Sequence, residues 1–390
     1  MTVRFRSRAL LLFVLLPAVP VGTAAQSSLA DIYRGGSVRL VPEFAVTDAD
    51  LPEEVYFVSF EQSWSTSVDS EGNIYFADYS ADHIKVFAPD GTFQRTIGRS
   101  GAGPAEFTRP YFSTIANDHL VVWDMGNTRF CILTLEGELV HTRPLDWAGE
   151  GWPHRLEALP DGRIILHGRK SHPDDPREME LDVLQLHSPQ MEYLHTIHEE
   201  GSQVRTWLAD TQRDVPRPYM PTLQWALLPD GRIALGLGDE YRIEIHDVDD
   251  GLISSFEYDR PRVRVTESDR QQWLDGITWT GEGGVRQEGA PPWIVRNTEW
   301  PRFMPAFDLI IADSDGNLLV HAFREGVQEE RFRYRYYDAF GPDGTFLGEV
   351  TLEGEGRFPI LGAPIRNGRF CTCLTSESGE ITFIRYRIMR

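Results

Sequence analysis

A tight bend set between two short apolar runs recurs along this chain and restricts it to antiparallel sheet. The bend reads Asp69-Ser70-Glu71-Gly72-Asn73, Leu159-Pro160-Asp161-Gly162-Arg163 and Leu228-Pro229-Asp230-Gly231-Arg232. It returns as Asp313-Ser314-Asp315-Gly316-Asn317 and Arg366-Asn367-Gly368-Arg369, with Ala116-Asn117-Asp118-His119 as a variant lacking glycine. Asp-Gly and Asn-Gly suit the positive φ angles of hairpin turns. The runs that follow, such as Ile74-Tyr75-Phe76 and Leu318-Leu319-Val320, are rich in β-branched and aromatic residues, as strands are. In most repeats a second bend and a fourth run follow, as at Pro89-Asp90-Gly91 and Pro342-Asp343-Gly344. Six such units predict an all-β chain, a six-bladed β-propeller of four-stranded antiparallel blades. Bend positions 72, 118, 162, 231, 316 and 368 are spaced by 46, 44, 69, 85 and 52 residues, so the long intervals carry insertions. The last unit has three strands before the chain stops at Arg390. Val38–Val46 supplies the missing fourth, closing the ring by joining the two ends of the chain.

The first 25 residues are set apart from the fold. Arg4, Arg6 and Arg8 precede an apolar run, Ala9–Val21, and small residues end at Ala25. That is the pattern of a secretory signal, and it predicts an exported protein, periplasmic or extracellular after cleavage near Ala25. Residues 26–36 read as a linker and 37–390 as the propeller. No later run is long enough to cross a bilayer, so no membrane insertion is expected. Cleavage leaves 35 basic against 59 acidic residues, moving the net charge from −21 to −24. So acidic a surface repels phosphate backbones, which argues against nucleic acid as a partner. Cys131, Cys371 and Cys373 read as small apolar residues rather than a disulfide framework.

A family resemblance rests on the first repeats. Trp64–Pro110 resembles an NHL repeat in Gly72-Asn73-Ile74-Tyr75-Phe76-Ala77-Asp78 and Ile84-Lys85-Val86-Phe87. The run Ile97-Gly98-Arg99-Ser100-Gly101-Ala102-Gly103-Pro104-Ala105-Glu106-Phe107 resembles that repeat's linker into the next blade. Asp124, Asn127 and Arg129 occupy the family's positions in blade two. The match is specific over residues 64–140, and the chain is similar to exported bacterial six-bladed propellers of mostly unassigned function. Architecture of this kind serves binding scaffolds, lyases and lactonases, so the resemblance implies a fold and not an activity.

Candidate site residues come from two alignments. Five positions before each bend glycine, on the inner strands, stand Ser67, Ser113, Glu157, Ala226, Ile311 and Ala363. Two residues earlier come Ser65, Tyr111, Arg155, Gln224, Leu309 and Leu361. Glu157 beside Arg155 is the one charged spot, either a channel acid or a self-satisfied ion pair. The loops leading into the inner strands combine Arg or His, Pro and an aromatic, as at Arg109-Pro110-Tyr111, Arg217-Pro218-Tyr219 and Trp300-Pro301-Arg302-Phe303. Such a rim suits an anionic or sugar-like ligand, through guanidinium forks and stacking. His167, His321 and Cys373 share an equivalent position but do not predict three converging ligands. No cofactor is expected, with a structural or catalytic metal left open.

Insertions are read at 168–182, a charged loop, and at 261–305. The second carries a helix over Glu267–Leu274 and Trp273, Trp279, Trp293 and Trp300, as a lid or an interface. Three functions stay open. One is a module binding a small molecule or a partner protein, with Arg109, Tyr111, Arg155, Glu157, Arg217, Gln224 and Arg302 as contacts. Another is a lyase or hydrolase using Glu157, and the third an assembly role for the Trp-rich insertion.

Overall fold

The computed structural model describes residues 28–58, 66–174, 179–203, 205–208, 213–280, 286–327, 334–354, 358, 365–376 and 380–390. It shows six blades around an axis. Blade one pairs Thr66–Val68, Ile74–Asp78, His83–Phe87 and Phe93–Ile97, from the axis outward. Blade two is Pro110–Ala116, His119–Asp124, Arg129–Thr134 and Leu139–Pro144. Blade three is Trp152–Ala158, Ile164–Ser171, Met179–His187 and Tyr193–Gln203. Blade four is Gln224–Leu227, Ile233–Gly236, Arg242–Asp247 and Gly251–Glu257. Blade five is Leu309–Ala312, Leu318–His321, Tyr336–Phe340 and Phe346–Glu353. In blade six, Arg369–Thr375 and Ile381–Met389 are completed on the outside by Ser37–Val46. The innermost strand expected there, around Leu361 and Ala363, lies outside the described residues.

Second strands such as Ile74–Asp78 are buried at every position because both faces of a blade pack on neighbours. The apolar core is accordingly divided into six clusters, one between each adjacent pair of blades. Bends take the expected backbone: Gly72 has φ +87°, and in the variant without glycine Asn117 and Asp118 adopt +48° and +58°. Asn and Asp tolerate that left-handed region better than other side chains.

The strand Ser37–Val46 runs antiparallel to Ile381–Met389, from Arg39 opposite Met389 to Val46 opposite Phe383. A register break between Pro42 and Phe44 swings Glu43 out of the ladder. The start of the same strand pairs in parallel with blade five, Val38 opposite Leu352, so blades five and six share one continuous sheet. Ahead of it, the segment read as a linker holds a helix, Leu29–Arg34, capped by the Ser28 side chain. Its buried Leu29, Ile32 and Tyr33 belong to the core between blades five and six.

Buried carboxylates at the ends of second strands fasten the blades. Asp78 pairs with Lys85 at 2.5 Å, both side chains fully buried, and accepts the Val58 N–H at 3.1 Å. Asp124 accepts from Thr108 N–H, Asn127 Nδ2 and Arg129 Nε at 2.8, 2.8 and 3.0 Å. Arg129 also donates to the carbonyls of Ala102, Gly103 and Glu106, so the connection between blades one and two is tied to blade two.

One insertion differs from its sequence reading, and the other holds the helix expected at Glu267. Most of 168–182 is strand, with Gly168 opposite Val183 and Arg169 opposite Asp182, because the blade-three hairpin is longer than the others. A ribbon of Arg205–Leu208 against Arg213–Pro216, not foreseen, precedes blade four. The second insertion holds helices Glu267–Asp275 and Pro292–Asn297 and a small hairpin, Thr278–Thr280 with Arg286–Glu288. Among the described residues no helix is long and apolar enough to cross a membrane.

Removing one partner of a buried ion pair strands the other charge, whereas removing both is far less costly. Lys85→Met is therefore expected to lower unfolding free energy by about 3–5 kcal/mol. Adding Asp78→Leu should recover part of that loss. Urea denaturation of the two variants checks both statements, and a double variant weaker than the single one would contradict them.

Candidate ligand site in the axial cavity

Inner strands present alternate residues to the axis, and those five positions before each bend face a common cavity of about 420 Å³. Ser67, Ser113, Glu157, Ala226 and Ile311 all line it; Ala363 lies outside the described residues. Of the row two residues earlier, Arg155 lines the cavity, while Tyr111, Gln224 and Leu309 do not. Ser65 and Leu361 are outside the described residues. Further lining comes from residues sequence reading had assigned only to the bends, among them Pro160, Pro229, Asp313, Ser314 and Arg366. The cavity thus occupies the later half of the inner strands and runs to the hairpin end of the ring.

Its polar wall is mostly neutral. Ser67 Oγ and Ser113 Oγ are 3.2 Å apart, and Thr66, Thr114 and Ser314 add hydroxyls. The charged element is the pair Arg155–Glu157, with Arg155 Nε 2.5 Å from Glu157 Oε1. Arg155 Nη1 donates to the Trp225 carbonyl at 2.7 Å, and the guanidinium lies 4.1 Å from the centre of the Trp225 ring. Burial pushes the Glu157 carboxyl above its ordinary pKa, although the Arg155 charge and hydrogen bond pull the other way.

Behind Arg155 the wall is fixed by a chain of contacts. Trp225 Nε1 lies 3.2 Å from His167 Nδ1, and His167 Nε2 lies 2.8 Å from Asp182 Oδ1. An indole N–H can only donate, so Nδ1 accepts and Nε2 carries the proton toward Asp182. Asp182 in turn takes Arg169 Nε at 2.8 Å. No sequence pattern signals this contact, because Trp225 and His167 sit on different blades.

The other histidine of the aligned set is also spoken for. His321 pairs with Asp308 and stacks on Tyr334 at 3.7 Å and 12°. Cys373 is buried in the core between blades six and one. Each occupies a different blade interface, and no group of three or more His, Cys, Asp or Glu suited to a metal ion occurs among the described residues.

The loop residues proposed as a rim stand at the other end of the inner strands. Arg109 is exposed, 5.8 Å from the Tyr79 ring centre, and Tyr111 packs edge-on against Tyr79 and Phe112. Arg217 pairs with Glu299 at 3.3 Å, Arg302 lies over Phe303, and Gln224 donates to Thr222 Oγ1. Glu157 and Arg155 are therefore separated from the rim, and the contact set read from sequence divides between two faces. Period-two alternation tells which side of a strand a residue faces, but not how far along the axis its site lies. The Trp-rich insertion rests on that approach face: Tyr219 Oη donates to the Asp269 carbonyl at 2.9 Å, and Arg213 lies over Trp293. Trp273 and Trp300 meet edge to face at 5.5 Å.

Comparison with known proteins agrees on architecture. A family described as 6-bladed beta-propeller matches residues 64–153. No curated protein matches the chain in sequence. Among solved structures it is similar to a Bacteroides fragilis protein named as exported, at 10% identity and TM-score 0.50, over 90% of this chain and 96% of that one. Virginiamycin B lyase from Staphylococcus aureus is similar at 12% identity and TM-score 0.41, over 89% and 99%. A gluconolactonase from Xanthomonas campestris is similar at 13% identity and TM-score 0.40, over 89% of each chain. At 10% identity the Bacteroides fragilis likeness speaks to the fold alone.

His154, which precedes Arg155, gives the neighbourhood a pH signature. Burial, then the Arg169 charge, depress its pKa to about 3. The unfolded chain protonates this imidazole near pH 6.5 and the folded chain does not. Stability is then complete above about pH 6.5 and declines as pH falls toward 3. The melting temperature should drop across that window and do so less steeply in His154→Gln. An identical pH profile for the two proteins would refute the assignment.

Proposed function

We propose that this chain is an exported propeller whose axial cavity binds a small polyhydroxylated, sugar-like molecule. Export is supported by the basic, apolar and small-residue sequence at the amino terminus. The observation that carries the ligand class is the charge balance of the wall. Arg155 is already matched by Glu157, and the Asp69 charge acts on Arg366, so the cavity offers little surplus charge to an anion. What it offers is a set of hydroxyls, one carboxyl and one guanidinium around a volume of about 420 Å³, within the range of small-molecule sites. Those groups donate and accept in turn, as a polyol does. An anionic ligand at the loop rim has less support, since Arg217 is paired with an acid.

A second reading, a lyase or hydrolase acting in the cavity, is favoured by the raised pKa of Glu157. A carboxyl protonated nearer neutrality can act as a general acid. In both readings the partner is a small molecule, and nucleic acid is not one.

Thermal-shift and equilibrium-dialysis measurements with hexoses, hexuronic acids and disaccharides test the proposal. Neutral sugars should stabilise the protein, and Ser67→Ala with Ser113→Ala should weaken binding by roughly tenfold, as two neutral hydrogen bonds imply. Stabilisation by hexuronic acids alone, or binding indifferent to both the serine changes and Glu157→Gln, would overturn it. If any sugar is turned over, full activity in Glu157→Gln would remove the enzymatic reading.

A further inference from the structure

Outside the cavity, the closing strand carries an unusual charge arrangement. The Glu43 carboxylate receives three guanidinium groups, Arg369, Arg385 and Arg387, each with Nε at 2.9 Å. Arg369 is on the second strand of blade six and the other two are on the third; Glu43 reaches them from the outer strand, at the register break. All four side chains are partly exposed.

The arrangement is unbalanced. Arg369 and Arg387 stand directly opposite each other across the ladder, where like charges destabilise a sheet. One carboxylate cannot neutralise three cations. Asp90, in a bend of blade one, is a further acid that Arg385 acts on. Arg385 Nε and Arg387 Nε are buried and have no hydrogen-bond partner among the described residues, although each lies 2.9 Å from Glu43. On a chain of net charge −21, this is a local excess of positive charge in which two guanidinium groups have a donor without a hydrogen-bond partner.

We propose that Arg369, Arg385 and Arg387 form a binding site for a tetrahedral dianion, sulfate or phosphate, either free or as a monoester. The chemistry follows from the fork geometry. Arg369 Nε donates to Glu43 and its Nη1 to the Asn367 carbonyl, whereas Arg385 Nε and Arg387 Nε lie near Glu43 without a hydrogen-bond partner; guanidinium N–H donors match the oxygens of sulfate and phosphate. Two charges on the ligand restore the balance that Glu43 leaves incomplete. A monocarboxylate supplies only one. Phe44, whose ring centre is 5.0 Å from the Arg385 guanidinium, flanks the group and limits that side chain's freedom. The site lies on the outer part of blade six, so it is separate from the axial cavity and does not depend on what binds there.

Isothermal titration of the whole protein with inorganic sulfate, in chloride buffer of matched ionic strength, tests this. Saturable binding is expected, weakened about tenfold or more in Arg387→Gln, as loss of a charge-assisted bond implies. Glu43→Gln should tighten it, by removing the competing carboxylate. Glycerol phosphate distinguishes the sources: binding comparable to sulfate points to an ester, and its exclusion to the free ion. Should Arg387→Gln not fold, Arg387→Lys keeps the charge without the fork and should also bind more weakly. Absence of saturable sulfate binding by the unmodified protein, or unchanged affinity in Arg387→Gln or Arg387→Lys, would overturn the proposal.

Discussion

Every blade position in this protein depends on the pairing of Ser37–Val46 with Ile381–Met389. A ring of sheets has no intrinsic stop, and an unpaired outer strand would leave a hydrogen-bonding edge open to other chains. Taking the fourth strand of the last blade from the start of the chain removes that edge and fixes the number of blades. The parallel contact of the same strand with blade five, and the helix Leu29–Arg34 in the adjoining core, make the closure broader than one ladder. The cavity follows from this. Its walls are inner strands of separate blades that converge only because the ring is shut.

Much of this architecture is legible in the sequence because its signals are local. Asp-Gly and Asn-Gly bends mark hairpins wherever they occur, and period-two alternation shows which inner-strand residues face the axis. Ser67, Ser113, Glu157, Ala226 and Ile311 are found there together for that reason. The closing strand could be read from a deficit, three strands in the last unit where the other blades have four. What escaped the sequence is non-local. The contact of Trp225 with His167 joins two blades, and no spacing within either reveals it. The rim arginines are read in the loops that lead into the inner strands, but nothing local shows that the cavity lies toward the opposite, hairpin end.

Buried charge plays a different part here from buried apolar surface. The six core clusters hold neighbouring blades together but specify little about their connections. Asp124 with Asn127 and Arg129 supplies that specification, since it satisfies linker carbonyls and an N–H that would otherwise lie unpaired. Trp225 and His167 do the same for the cavity wall, where they hold one guanidinium in a fixed plane.

Closure by the amino-terminal strand also orders events in time. Arg39 is among the first residues of the ring to be made and Met389 among the last, yet they are partners in one ladder. A chain that emerges from its amino end carries this strand unmatched until Ile381–Met389 has been made. Blades one to four can condense from neighbouring residues alone, whereas the sixth sheet requires both ends of the ring. A chain stopped before Ile381 therefore keeps the latch but lacks its partner, and the edge of Ser37–Val46 stays exposed.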